Sequence, residues 1–290
     1  MKSKTAIVIP CHDNLDVLQK SIPAAYSQET SMIVFDDGST DGTYDWIRGN
    51  FPSVHIIQGD GSNWWTGSTK KAIDYCLDEG FNYILSLNAD VIISSNDIDT
   101  LIESSKTNND SIVASLVVDI ENQNKVLWSG SKFEKINRFV PIYTSRYFMK
   151  SGNDTSQVSD EIYEVDEVHG RGVLIPVSAI KKIGNYDSEL FPQYGGDTDF
   201  SFRAKKKGIK MYVNPKVKAS VFVNNTSIQV KENLSFPEKL YSIGHYLTKR
   251  KNGEALYVWW NLYRRHLSFI YLFQSYLFVI CLNIYRRLRG

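Results

Sequence analysis

An α/β fold on a mainly parallel sheet, followed by a helical C-terminal extension, is what this sequence predicts, and three features predict it. Short β-branched apolar runs alternate with helix-spaced stretches through the first 120 residues. Acidic clusters stand directly after two of those runs. From Phe236 onward the pattern becomes helical, aromatic and basic.

Thr5–Pro10 (TAIVIP) is brief and β-branched, the pattern of a strand buried on both faces. Leu15–Ser27 follows with helical spacing, and Met32–Asp36 is a second strand. The turn sequence DGSTDG leads into a short helix at Thr43–Arg48, and Val54–Gln58 gives a third strand. Gly67–Glu79 is helical, with Ala72, Ile73, Cys76 and Leu77 on one side. Tyr83–Asn88 is a fourth strand, Asp97–Lys106 a helix and Ser111–Ile120 a fifth strand. Right-handed crossovers put the loops after parallel strands along one edge, and ligands bind outside the strands' carboxyl ends. Residues 121–160 show little periodicity and read as loop or irregular hairpin. Val173–Pro176 is a strand, and Ser178–Ile183 and Asp199–Lys207 are helices, the latter stopped by Gly208. Lys210–Val213 and Ala219–Val223 are short strands. The chain thus divides into a domain over 1–235 and an extension over 236–290.

The 290 residues are 42% hydrophobic and 22% charged with a net charge of +1, which excludes wholesale disorder, collagen-like repeats and a polytopic membrane protein. Cys11, Cys76 and Cys281 are too scattered for a disulfide framework or a Cys-rich metal site, and fit a reducing, cytoplasmic setting. The opening MKSKTAIVIP is too soon interrupted for a secretory signal. Residues 245–290 carry +7 and the remainder −6, so neither part is basic enough for nucleic acid to be the main partner.

Three acidic clusters fall where the sheet logic puts a ligand: Asp36-Asp37-Gly38-Ser39, Asn88-Ala89-Asp90, and Gly195-Gly196-Asp197-Thr198-Asp199. Carboxylates there can accept bonds from a base or ribose, hold a hard cation beside phosphates, or take a proton from an attacking hydroxyl. Each cluster also has a plainer reading. DDGSTDG is a good turn, and Asp197 or Asp199 could cap the helix behind it. Their ordered succession carries the functional reading.

That succession resembles the family 2 inverting glycosyltransferases of the GT-A fold. The matching pieces are VIPCHDN (Val8–Asn14), VFDDGSTDGT (Val34–Thr43), GSNWWTGSTKKAIDY (Gly61–Tyr75), LSLNADV (Leu85–Val91), GRGVLIPVSAIKKIGNYD (Gly170–Asp187) and YGGDTDFSFRAKKKG (Tyr194–Gly208). The Trp-Trp-Thr-Gly segment is similar to bacterial transferases, rhamnosyltransferases included, that build surface polysaccharides of the O-antigen or capsule type. The resemblance implies that Pro10 lines the nucleotide base and that Asp36 or Asp37 binds base or ribose. It places Asn88 and Asp90 at the family's Asp-x-Asp motif, with Asp90 holding Mg²⁺ or Mn²⁺ against the donor diphosphate. It places Asp197 at the catalytic-base position. The sequence departs from the pattern at Asn88, where a carboxylate is usual, and at Gly196, where the usual residue is Glu. It also lacks a His on the strand after the base helix.

Further candidates are Lys70 or Lys71 toward the diphosphate, against a solvated helix face, and Trp64 and Trp65 in a loop, stacking on sugar or packing in the core. Gly67 stands beside them. Gly170-Arg171-Gly172 can bring backbone and a guanidinium to phosphate, or form a tight turn. His169 flanks the acceptor or is structural. Asp199 is a donor or acceptor contact, although an i,i+4 pair with Arg203 also explains it.

Leu267–Tyr285 is uncharged for 19 residues between Arg264-Arg265 and Arg286-Arg287. It spans a bilayer, packs on the domain or a second subunit as in a homodimer, or lies at an inner-leaflet interface. The basic flanks favour the last. The expectation is a cytoplasmic, metal-dependent transferase, peripheral on the membrane, moving sugar from a UDP- or dTDP-sugar to a glycan on a polyprenyl diphosphate. The rivals are a non-catalytic sugar-nucleotide-binding scaffold and a nucleotidyltransferase or dinucleotide-binding enzyme. The last is disfavoured because Pro10–Asn14 lacks the glycines that bring backbone onto a pyrophosphate.

Overall fold

A computed structural model describes residues 4–27, 30–135, 143–222, 235–248 and 256–289. The first half follows the predicted alternation: β1 (Thr5–Cys11), α1 (Leu15–Ala25), β2 (Ser31–Asp36), α2 (Thr43–Asn50), β3 (His55–Gln58), α3 (Trp64–Asp78), β4 (Tyr83–Leu87), β5 (Val91–Ile92), α4 (Ser95–Thr107) and β6 (Ile112–Asp119). β1, β4 and β6 are buried along their whole length, which is why they read as unbroken apolar runs. The predicted irregular middle holds β7 (Val126–Trp128), then β8 (Ser131–Lys135) and β9 (Tyr143–Tyr147), an antiparallel pair, and β10 (Tyr163–Val165). β11 (Arg171–Pro176), α5 (Val177–Ile183), α6 (Gly196–Lys206) and β12 (Met211–Val221) follow.

The main sheet runs β10-β12-β6-β11-β4-β1-β2-β3. β4, β1, β2 and β3 pair in parallel, as do β6 and β12. β11 lies antiparallel between β4 and β6. That reversal positions the site. Because β1 sits between β2 and β4, the loops after these three strands adjoin. Because β11 runs backwards, its first residue, Arg171, pairs with Leu87 at the same edge. The two short strands expected at 210–213 and 219–223 are one strand, β12, whose register with β6 shifts between Asn214 and Lys218. Pro215, with no N–H to donate, falls inside that irregularity.

The extension forms α7 (Phe236–Thr248), α8 (Leu256–His266) and α9 (Phe269–Arg289). Val258, Leu262 and Tyr263 of α8 join Phe191, Leu272 and Val279 in a second buried cluster. Among the described residues no helix is long and apolar enough to cross a membrane, so the spanning reading of Leu267–Tyr285 has no support. Val223 and Asn224, where relatives carry a His, and Lys249, Arg250, Lys251 and Glu254 lie outside the described residues.

Candidate active site

The site is assembled at the carboxyl edge from four segments. Pro10, one residue before the end of β1, lies opposite Phe35 of β2 and beyond the last pair that β1 makes with β4, so its missing N–H interrupts no ladder on the β4 side. Asp36 and Asp37 are both buried. Asp36 Oδ1 accepts the Ser39 N–H at 3.0 Å. Asp37 does not stand ready for a nucleotide. Its carboxylate accepts the backbone N–H groups of Gly61 (3.0 Å), Asn63 (3.0 Å) and Trp64 (2.8 Å) and the Asn63 amide at 2.8 Å. It caps the start of α3 from the loop after β2, where a carboxylate meets the positive end of the helix. A Cβ on Gly59 would strike Asp37 Oδ1, so the loop after β3 closes tightly over it. The Cys11 thiol beside these acids is pushed up by burial and by Asp36, Asp41 and Asp37, and stays neutral.

This cap corrects the placement of Trp64 and Trp65, which open helix α3 and are not in a loop. Trp64 takes φ 59°, a costly conformation for a bulky residue, held by the bond to Asp37. Trp65 faces the site. Its indole N–H donates to Asn88 Oδ1 at 2.8 Å, its ring meets Tyr186 edge-on, and its backbone N–H donates to Gln193 at 2.9 Å. Asn88 therefore orients Trp65. A Cβ on Gly170 would meet the Trp65 ring at 2.5 Å and Asn88 Oδ1 at 3.2 Å, so Gly170 lets β11 close onto this pair.

Asp90 and Arg171 face each other electrostatically. Burial raises the Asp90 pKa, and the Arg171 guanidinium opposes that shift. Among the described residues no cluster of three His, Cys, Asp or Glu side chains could cage a metal ion. A single half-buried carboxylate still fits a hard divalent ion whose other ligands are phosphate oxygens and water.

Asp197 lies in the first turn of α6. Its Oδ2 accepts the Gly170 N–H at 3.4 Å, and its Oδ1 is buried with no hydrogen-bond partner among the described residues. Burial pushes its pKa up to about 6, against the charges of His169 and Arg171. Asp197 in turn raises the Tyr186 hydroxyl, already raised by burial. Behind it stands a group that sequence reasoning did not single out, Glu167. This buried acid accepts from Thr198 Oγ1 at 2.7 Å and from Ser131 Oγ, and its Oε1 is 3.7 Å from His169 Nε2. Burial opposes its ionisation, yet His169, Ser131 and Thr198 hold it at about 2.

Three other expected site residues have structural work. Asp199 is fully buried and binds Arg203 Nε (2.8 Å), His266 Nε2 (2.8 Å) and Arg265 Nε (3.4 Å). It anchors α8 to α6, with both carboxylate oxygens engaged by these partners. Lys70 pairs with Asp74 one turn along at 2.6 Å, the solvated-face reading. Gly172 has φ 87°, and a Cβ there would lie 2.1 Å from Ser115 Oγ, so its glycine serves sheet packing at the bulge of β11. Gly67 is buried in α3 with ordinary spacing to Asn63 and Ser188.

Residues 6–163 match the domain described as Glycosyl transferase family 2. No curated protein matches the chain by sequence. Among solved structures, GalNAc-T7 with UDP, GalNAc and Mn²⁺ superposes with a TM-score of 0.57 at 12% identity, over 76% of this chain and 44% of that one. This chain thus spans less than half the length of that neighbour. Residues 1–349 of S. aureus TarS in complex with UDP-GlcNAc give a TM-score of 0.52 at 12% identity, over 90% of this chain and 71% of that one. These likenesses show the fold, which is GT-A. With the domain match covering more than half of its length, the chain belongs to glycosyl transferase family 2.

Proposed function

We propose that this protein transfers a sugar, with inversion, from a UDP- or dTDP-sugar to a glycan hydroxyl, with Asp197 as general base. The observation that carries the reading is the Asp197 carboxyl: half-buried beside Gly170, raised to about 6, with Oδ1 shielded and without a hydrogen-bond partner among the described residues. A base needs a pKa near working pH and a free lone pair aimed at the proton it takes. As the acceptor oxygen attacks the anomeric carbon, its proton passes to Asp197, the new glycosidic bond forms, and the bond to the diphosphate breaks. Arg171 supplies positive charge toward the departing diphosphate. Asp90 would hold Mg²⁺ or Mn²⁺, which when bound supplies further neutralisation of that charge. Neighbours solved with UDP, with Mn²⁺ or with UDP-GlcNAc support the donor class and the ion. The base is proposed to lie against Pro10, the following backbone and Asp36, since Asp37 is fully used by the loop. Trp65, fixed by Asn88, forms a wall toward the sugar.

The acceptor is proposed to be a glycan intermediate on a polyprenyl diphosphate in surface-polysaccharide assembly, met at the cytoplasmic face of the membrane. Support comes from α9, whose Leu272, Ser275, Val279 and Asn283 are buried while Phe269, Ile270, Phe273 and Leu277 are exposed. The exposed side is apolar and lies in a stretch with arginines at both ends and no acid after Glu254. A second copy of this face would set arginine against arginine, whereas anionic headgroups complement it.

Asp197→Asn tests the core of the reading. Its melting temperature should rise with UDP and Mn²⁺ as the wild type's does, because ligand binding to the folded state stabilises it. Transfer should fall by about 10³-fold or more. Wild-type turnover would remove Asp197 from the role. Nucleotide binding with no transfer by the wild type to any glycan acceptor would favour the scaffold reading.

A further inference from the structure

A buried general base must stay ionised, and burial works against that. The resemblance leads one to expect an acid at 196, next to the base. Here Gly196 is buried, and a Cβ on it would lie 2.9 Å from Thr66 Oγ1, so α3 leaves no room for a side chain. An acid reaches the same neighbourhood from the segment before β11. Glu167 is tied to the residue after the base through Thr198 Oγ1 at 2.7 Å, and to β8 through Ser131. Two residues on, His169 places Nε2 at 3.7 Å from Glu167, with its ring stacked on Trp128 at 4.9 Å. The next residue, Gly170, donates its N–H to Asp197. Glu167 and His169 thus stand next to Asp197, joined to its helix turn through Thr198 and to its carboxylate through the Gly170 backbone, on a segment held by β7, β8 and α6.

We propose that Glu167 and His169 are positioning residues for the base: the Glu167 carboxylate holds His169 as an imidazolium, and that cation keeps Asp197 ionised. The inference rests on the reading of Asp197 as base. The charged groups facing His169 are Glu167 and Asp197, which favour its protonation, and Arg171, which opposes it together with burial. The balance puts His169 above the ordinary histidine value. The charged groups facing Asp197 are His169 and Arg171, which favour its ionisation, and Glu167, which opposes it; the neutral Tyr186 hydroxyl, raised by burial and by Asp197, also faces the carboxylate. His169 acts on Asp197 more strongly than Glu167 does. The pair is therefore a cation presented to the base, with the compensating anion set one step further back.

The test is a carboxyl-carbon NMR titration of the full chain labelled at aspartate, the Asp197 signal being identified by its loss in Asp197→Asn. In the wild type it should titrate near 6. In His169→Gln it should move up by about one to two pH units, the size of a lost neighbouring charge. In Glu167→Gln it should move up by less, because that change removes an opposing anion along with the partner that charges His169. An unmoved or lowered Asp197 in His169→Gln overturns the proposal. If that variant does not fold, the wild-type His169 ring decides: titration above about 6.5 supports the proposal, and a ring neutral throughout overturns it. Failure of the base reading shows separately. Wild-type transfer by Asp197→Asn would remove the catalytic role while leaving the titration result standing.

Discussion

Asp197 and Asp199 stand two residues apart on α6 and do opposite work. Asp197 keeps one buried oxygen without a partner and is raised to about 6. Asp199 has Arg203, Arg265 and His266 around it, and these outweigh burial to hold its carboxyl below the usual range. His266, lowered mainly by burial, is the neutral donor of that group. A carboxylate with a depressed folded-state pKa contributes stability above the ordinary carboxylate pKa, about 3.9, and loses it as pH falls through the folded value. Asp199→Asn should therefore cost about 3 kcal/mol of unfolding free energy at pH 7, with the deficit shrinking toward pH 3. Denaturant unfolding at the two pH values checks this, and an unchanged midpoint would contradict the anchoring role. The sequence showed Arg203 as a partner because it lies four residues on. It showed neither Arg265 nor His266, since no local pattern links α6 to a helix some 60 residues later. Glu167 was missed for the same reason.

Helix and strand boundaries tell a parallel story one level up. The expected start of α3 was Gly67, yet the helix begins at Trp64 because Asp37 caps it from the loop after β2. The polarity of β11 was equally hidden, since an apolar run reads the same in either direction. Glycines separate local from tertiary causes. Gly172→Ala should destabilise by about 3 kcal/mol, because a Cβ at φ 87° would press on Ser115 Oγ at 2.1 Å and Ala219 Cβ at 3.2 Å. Gly67→Ala should be neutral or stabilise by up to about 1 kcal/mol, since its Cβ meets nothing closer than Asn63 Cβ at 3.4 Å and alanine favours helix. Melting temperatures of the two variants check both signs. A strongly destabilised Gly67→Ala would point instead to a backbone requirement in α3.

At the scale of the whole molecule, α8 and α9 close the fold and present a second surface. Removing them would uncover Asp199 and Phe191, so the membrane proposal is better tested by substitution than by truncation. Phe273→Glu combined with Leu277→Glu changes two side chains that are 51% and 62% exposed, and leaves the buried face of α9 intact. The wild type should float with anionic liposomes and not with neutral ones, and the double variant should stay with the soluble fraction at an unchanged melting temperature. Equal recovery of both would sink the membrane role, and a concentration-dependent dimer broken by the same changes would assign the face to a second copy. By itself the sequence determined the α/β alternation, the acidic strand ends and the family resemblance, because periodicity and short motifs are local properties of a chain. The tertiary structure alone decided which acids are free and which are used. Hydrogen bonds and charges act over a few ångströms of space whatever the separation along the chain, so only the fold could give Asp37 to a helix, Asp199 to α8, and Glu167 and His169 to Asp197.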